Sequence, residues 1–142
     1  MKNRNIWFVF ALIFLGLLLF WYFNAQKYQK VEINGEKFKV ELAQTSQEKI
    51  LGLGQRENME NNEGMLFIFP ESGEYIFWMK EMQFDLDIIW INDGKIVYIK
   101  KNVPHNSLEL IDSKVLANQV LEIKAGISDQ YNFKIGDEVK IN

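Results

Sequence analysis

Arg56, Glu63, Lys80 and Asp87 stand beside apolar, aromatic-rich segments where charge is costly, and Trp78 lies two residues before Lys80. In Leu86-Asp-Ile-Ile-Trp-Ile91 a period of two places Asp87, Ile89 and Ile91 on one face and Leu86, Ile88 and Trp90 on the other. Neither face is solvent-like, so Asp87 is expected to be at least partly buried. It then needs a cation, hydrogen-bond donors or a proton. Lys80, on one face with Ile76 and Trp78, is one candidate partner, and Arg56, in the loop after the first short helix, is another. Glu63 immediately precedes Gly64, where the chain turns into a strand. Brought together, these residues make an oriented acid-base group beside an aromatic wall. Such a site suits a sugar hydroxyl, a carboxylated ligand or a peptide terminus. The same residues also read as a salt-bridge network that fixes loops onto a small barrel.

Other chemistry is thinly represented. Glu63 and Asp87 supply the two carboxyls of a hydrolase acting on envelope glycan or peptide, but nineteen acids make such a pair easy to find. His105, with Ser107 nearby, lacks a nucleophile-elbow pattern and reads as an exposed loop residue. Gly52-Leu-Gly54 has two glycines of a dinucleotide fingerprint but follows a helix instead of opening one. With no Cys and one His, the chain excludes disulfides, a thiol nucleophile, a thiolate zinc site and any site needing two imidazoles. The acidic loops lack the regular spacing of a calcium site. No catalytic residue, metal or cofactor is assigned from these patterns.

The elements that must position the group divide the 142-residue chain unevenly. Residues 1–30 hold four cations (Lys2, Arg4, Lys27, Lys30) and no acid, leaving twelve cations against nineteen acids in 31–142. That acidity argues against binding a nucleic-acid backbone. Ile6 to Phe23 runs without a charge, and as a helix it would rise about 27 Å, close to a hydrocarbon core. Trp7, Trp21 and Tyr22 sit where aromatic belts form. Bulky Phe23, two positions before Ala25, argues against signal-peptide cleavage there. Residues 1–23 are therefore expected to be a signal anchor, contacting the bilayer through residues 6–23, and 24–30 a connector. Two Lys or Arg flank each side. The amino terminus and the closer Arg4 tip the orientation towards a single-pass protein with its C-terminal domain outside the cytoplasm.

In residues 31–142, Asn34-Gly35 and Asn92-Asp-Gly94 mark hairpins between alternating runs. Thr45-Ser-Gln-Glu48 is a capping box ahead of a short helix. Gly64–Phe69 reads as a strand, Pro70–Gly73 as a turn and Glu74–Met79 as the returning partner. The runs at 65–69 and 75–79 are aggregation-prone if exposed, so they are expected to be central. Residues 102–113 read as loop, a strand surrounds Val120–Ile123, Ser128 caps a helical turn, and Glu138–Ile141 closes an edge. The expectation is a mainly β (α+β), compact, barrel-like domain of seven or eight strands and about two short helices, preceded by one transmembrane helix.

Glu63-Gly-Met-Leu-Phe-Ile-Phe-Pro70, Phe77-Trp-Met-Lys80, Leu86-Asp-Ile88, Val120-Leu-Glu122 with Ala125-Gly126, and Gly136-Asp137 follow one another in order. They resemble the motifs of domain of unknown function 192 (DUF192), and Gly52 to Arg56 looks like its Gly-Leu-Met-x-Arg segment. The resemblance covers about residues 31–142 and places Arg56, Glu63, Trp78, Lys80 and Asp87 on motif positions. It implies a compact, mostly β domain, often exported or membrane-attached, and no established activity. Two departures change local polarity: Glu81 and Met82 replace Asn-Thr, and Asp85 replaces a Pro. The leading expectation is a membrane-anchored extracytoplasmic module without catalytic activity that binds a small ligand or an envelope protein. A hydrolase using Asp87 or Glu63, and a purely structural envelope component, are the alternatives.

Overall fold

The computed structural model describes residues 4–25 and 28–142, with side chains described over 7–19 and 28–142. α1 (Arg4–Ala25) leads into β1 (Tyr28–Ile33) and β2 (Glu36–Ala43), then α2 (Ser46–Leu51), β3 (Glu63–Gly73) and β4 (Ile76–Phe77). β5 (Leu86–Asn92), β6 (Lys95–Val103), β7 (Ile111–Asp112), β8 (Ala117–Lys124), α3 (Ile127–Gln130) and β9 (Val139–Ile141) complete the order. The sequence of α1 is a nearly unbroken apolar run. Among the described residues, however, no helix is long and apolar enough to cross a membrane. The described side chains of α1 span only about 20 Å of helical rise. Ile6 and Phe20 to Phe23, with Trp21 and Tyr22, lie outside them, as do Lys2 and Lys27. The transmembrane expectation is thus corrected to a helix whose span is not shown.

Seven strands form one sheet in the order β6-β5-β8-β3-β2-β1-β9. Among the described strands β2 and β3 alone pair in parallel, so residues 44–62, including α2, make the crossover that such a pair requires. The edges β6 and β9 approach each other through the Lys95–Glu138 bridge. Backbone bonds from Ile96 to Asp137 (3.0 Å) and from Val139 to Gly94 (2.8 Å) extend that seam, giving a half-barrel. Left-handed Asn34 and Gly35, and Asp93 and Gly94, make the two expected hairpin turns.

The sheet buries both faces. Its concave face packs Ile33, Phe38, Leu66, Leu121, Ile123 and Phe133 around α3. Its outer face packs Met65, Phe67, Ile88, Trp90 and Val120 under Leu53, Met59, Phe77 and Met79 from the connections. A second row of apolar residues on both faces removes the alternation that a solvent-facing sheet would show.

Several local expectations are corrected. β3 does not turn back onto residues 74–79, because β2 and β8 already occupy both of its edges over 64–67. β4 pairs instead with β7, inside the stretch read as loop. Exposed Ile76 and Trp78 follow from that position, so the 75–79 run is not fully covered. Ser128 sits inside α3, whose N-cap is Gly126 without a side-chain bond. β1 also begins at Tyr28, within the expected connector.

Candidate functional site

The five residues singled out from the sequence do not meet in one cleft. Asp87 is fully buried in β5 and faces the concave side. Its Oδ1 accepts the Asn102 amide at 2.8 Å and its Oδ2 the Ser128 amide at 2.8 Å. Gly126 has no side chain to cap α3, so Asp87 supplies that acceptor from across the barrel. Asn102 holds a left-handed conformation at the irregular end of β6. Among the described residues neither candidate cation, Lys80 or Arg56, pairs with it; of the three expected forms of compensation it is hydrogen-bond donors, two backbone amides, that satisfy the carboxyl.

Arg56 donates from Nη1 to Glu41 Oε1 at 2.5 Å in a half-buried ion pair. That hydrogen bond raises the guanidinium pKa, against the opposing effect of burial. Glu63 opens β3, and among the described residues its carboxylate accepts a long bond, 3.4 Å, from the Glu60 amide. Trp78 and Lys80 stand at a hollow of about 200 Å³ on the outer face.

That hollow is built by the sheet and its roof. Phe67 and Phe77 meet edge to face at 4.9 Å, and Phe69 stacks on Tyr75 at 3.5 Å between centroids. The Tyr75 hydroxyl donates to the Glu71 carbonyl, while Trp90 Nε1 donates to the Tyr75 carbonyl, fixing the strap from both ends. Lys49 places its ammonium 4.4 Å from the Phe69 ring centre. α2 forms the roof. Its capping box is complete, with the Thr45 hydroxyl accepting from the Glu48 amide and the Glu48 carboxylate accepting from the Thr45 amide. No α2 side chain is buried.

Glu122 lines this hollow and was missed from the sequence. On β8 it lies between Met65 of β3 and Ile88 of β5, and only 4% of it is exposed. Burial pushes its carboxyl up to about 8, with Arg56 drawing it partly back. Among the described residues nothing hydrogen-bonds that carboxyl. Gly52, at positive φ, ends α2 directly above it: a Cβ there would come within 3.4 Å of Phe67 and 3.9 Å of Glu122 Oε2. The signal was available in Val120-Leu-Glu-Ile123, where alternation sets Glu122 on the face of Val120. A lone acid in an alternating strand nonetheless reads as solvent-facing.

Beyond Trp78 a second, shallower hollow of about 530 Å³ is lined by Met79, Lys80, Met82 and the loop 105–110. Asp85 Oδ1 accepts both the His105 amide (2.7 Å) and a contact from its Nδ1 (2.8 Å). The amide bond first, and then the ring contact, hold the Asp85 carboxyl below its usual range. Among the described residues no cluster of three His, Cys, Asp or Glu could hold a metal ion.

Residues 29–141 match the model of the DUF192 family, described as an uncharacterized ACR. A protein of Sinorhizobium meliloti 1021, described as a "putative transcription regulator", is similar in structure with a TM-score of 0.76 and 33% identity. That match covers 80% of this chain and 93% of the other. A protein of unknown function from Novosphingobium aromaticivorans DSM 12444 gives 0.75 and 30%, covering 80% and 84%. None of the curated proteins matches.

Proposed function

The chain belongs to the uncharacterized DUF192 family, and on that premise we propose that it is a membrane-anchored binding module whose ligand enters the outer-face hollow over Glu122. The observation that carries this reading is a carboxyl that is almost wholly buried, accepts no hydrogen bond from the described residues and reaches the hollow between aromatic walls. A group of this kind is costly to maintain unless something completes its hydrogen bonds, and a strongly shifted acid in a cleft marks a functional site. Trp78 and Lys80 from the original group remain part of the site. Arg56 acts on Glu122 through its charge. Asp87 serves the fold.

Anchoring is supported by α1, whose Trp7, Phe8, Phe10, Leu12, Phe14 and Leu17 are all more than 60% exposed and need an apolar environment. The acidic domain argues against binding a nucleic-acid backbone, so the regulator description of the Sinorhizobium relative is not carried to this chain as such a role. Glu63 and Asp87 do not form an acid-base pair for hydrolysis, because both Asp87 oxygens are engaged with backbone amides at the far side of the sheet.

Two measurements test the reading. Backbone-amide shifts of the full chain in detergent, titrated with uncharged, anionic and cationic aromatic fragments, should cluster at Gly52, Phe77, Trp78 and Glu122. Shifts scattered over the concave side, or none at all, would remove the site. The chain has no cysteine, so Asn142→Cys reports orientation without background. Labelling by a membrane-impermeant thiol reagent in intact cells is expected. Labelling only after lysis would reverse the topology.

A further inference from the structure

Resting on that reading, we infer that the hollow over Glu122 recognises a flat, uncharged group carrying an amide edge, such as a primary amide, lactam or imide, with the rest of the ligand leaving past Lys80. The carboxyl meets no donor or acceptor from the described protein and lines the hollow. Held neutral by burial, it presents an O–H donor and a C=O acceptor side by side. Their complement is an acceptor and a donor on adjacent substituents, which an amide edge supplies in one plane. A carboxylate ligand would lack the donor, and an ammonium or amidinium would lack the acceptor.

The walls agree with that polarity. Phe67, Phe69, Tyr75, Phe77 and Trp78 favour a planar body and would leave an ion poorly solvated. At about 200 Å³ the hollow is smaller than the roughly 300–1,000 Å³ of ordinary ligand pockets, so it takes one ring-sized group. Trp78, Lys80 and Met82 border both this hollow and the larger one beside it. That shared border gives the remainder of the ligand a surface on which to lie. Lys49 and Lys80 at the mouth favour an anionic substituent there.

The titratable groups around Glu122 are Lys49 on α2, Tyr75 and Lys80 on the strap containing β4, and Arg56 with Glu41 beyond Met65. Of these, Arg56 makes the carboxyl easier to ionise, against the larger opposing effect of burial. Amide recognition should therefore fade as pH rises through about 8.

Benzamide, benzoate and benzamidine share one shape and differ in the edge they present. Titrated at pH 6.5 into the full chain in detergent, benzamide should give the tightest saturable shifts at Gly52, Phe77 and Glu122. Glu122→Gln keeps a donor and an acceptor and should retain benzamide binding without its loss at high pH. Glu122→Ala should weaken it by about tenfold. Benzoate or benzamidine binding best in the hollow at pH 6.5 would overturn the amide assignment while leaving the site in place. Equal benzamide affinity in the Ala and Gln variants would do the same. Failure of all three probes to move these amides would remove the site and the assignment together.

Discussion

Of the acids buried in the sheet, Asp87 and Glu122 lie in adjacent rows on opposite faces. Asp87 pairs across β5 and β8 with Ile123, and Glu122 pairs with Ile88. Asp87 is sealed and receives two backbone amides at 2.8 Å. Glu122 receives no hydrogen bond among the described residues and opens into a hollow. Burial alone therefore does not distinguish these two environments. What separates them is whether the fold itself completes the hydrogen bonds.

The largest effect should come from the completed acid. Asp87→Ala strands the buried Ser128 amide and the part-buried Asn102 amide and should cost about 3–5 kcal/mol in urea melts, since each donor left unsatisfied costs about 1–3 kcal/mol and a cavity is left as well. A loss under about 1 kcal/mol would erase the contrast between the faces.

The unpartnered acid should behave oppositely. Its folded pKa of about 8 lies above the ordinary 4.5, so the folded state holds the proton more tightly than the unfolded one. Its contribution is then complete below pH about 4.5 and is lost as pH rises to about 8. The slope is about 1.4 kcal/mol per pH unit. Glu122→Gln removes that slope, leaving stability unchanged near pH 4 and raising it by on the order of 3 kcal/mol at pH 7. Parallel melting curves for the two proteins from pH 4 to 8 would contradict it.

Arg56→Gln sharpens the contrast further. It weakens the pair with Glu41, at a cost of about 1–2 kcal/mol. Because Arg56 draws the Glu122 carboxyl downwards, the substitution should also move the Glu122 titration up, as followed by carboxyl-carbon NMR. A downward move would mean that Arg56 does not act on this acid. The smallest effect belongs to the roof: Thr45→Ala removes one half of the α2 capping box and should cost about 1 kcal/mol. It should speed hydrogen exchange at Lys49 and Gly52 while leaving Asn102 and Ser128 protected.

Reading depth in the sequence followed the range of the interactions. The Asn34-Gly35 and Asn92–Gly94 turns and the Thr45–Glu48 box were legible because neighbouring residues close them. Burial of Asp87 was legible from apolar residues on both faces of its strand. Its partners were not, since Asn102 and Ser128 approach from β6 and α3 through backbone amides, which carry no side-chain signature. Ser128 reads as a cap by type, yet the real acceptor comes from a strand forty-one residues earlier.

By itself the sequence determined the apolar N-terminal run, the acidic β domain, its Asn34-Gly35 and Asn92–Gly94 hairpin turns and the family to which it belongs. These depend on composition and on contacts within a few residues. Only the tertiary structure decided that β3 lies between β2 and β8, which denied it the return strand and pushed Trp78 to the mouth of a hollow. The same pairing set Glu122 between Met65 and Ile88, beneath Gly52. The environment of a carboxyl is fixed by whatever the register brings within a few ångströms, and that register is settled by strands distant in the chain.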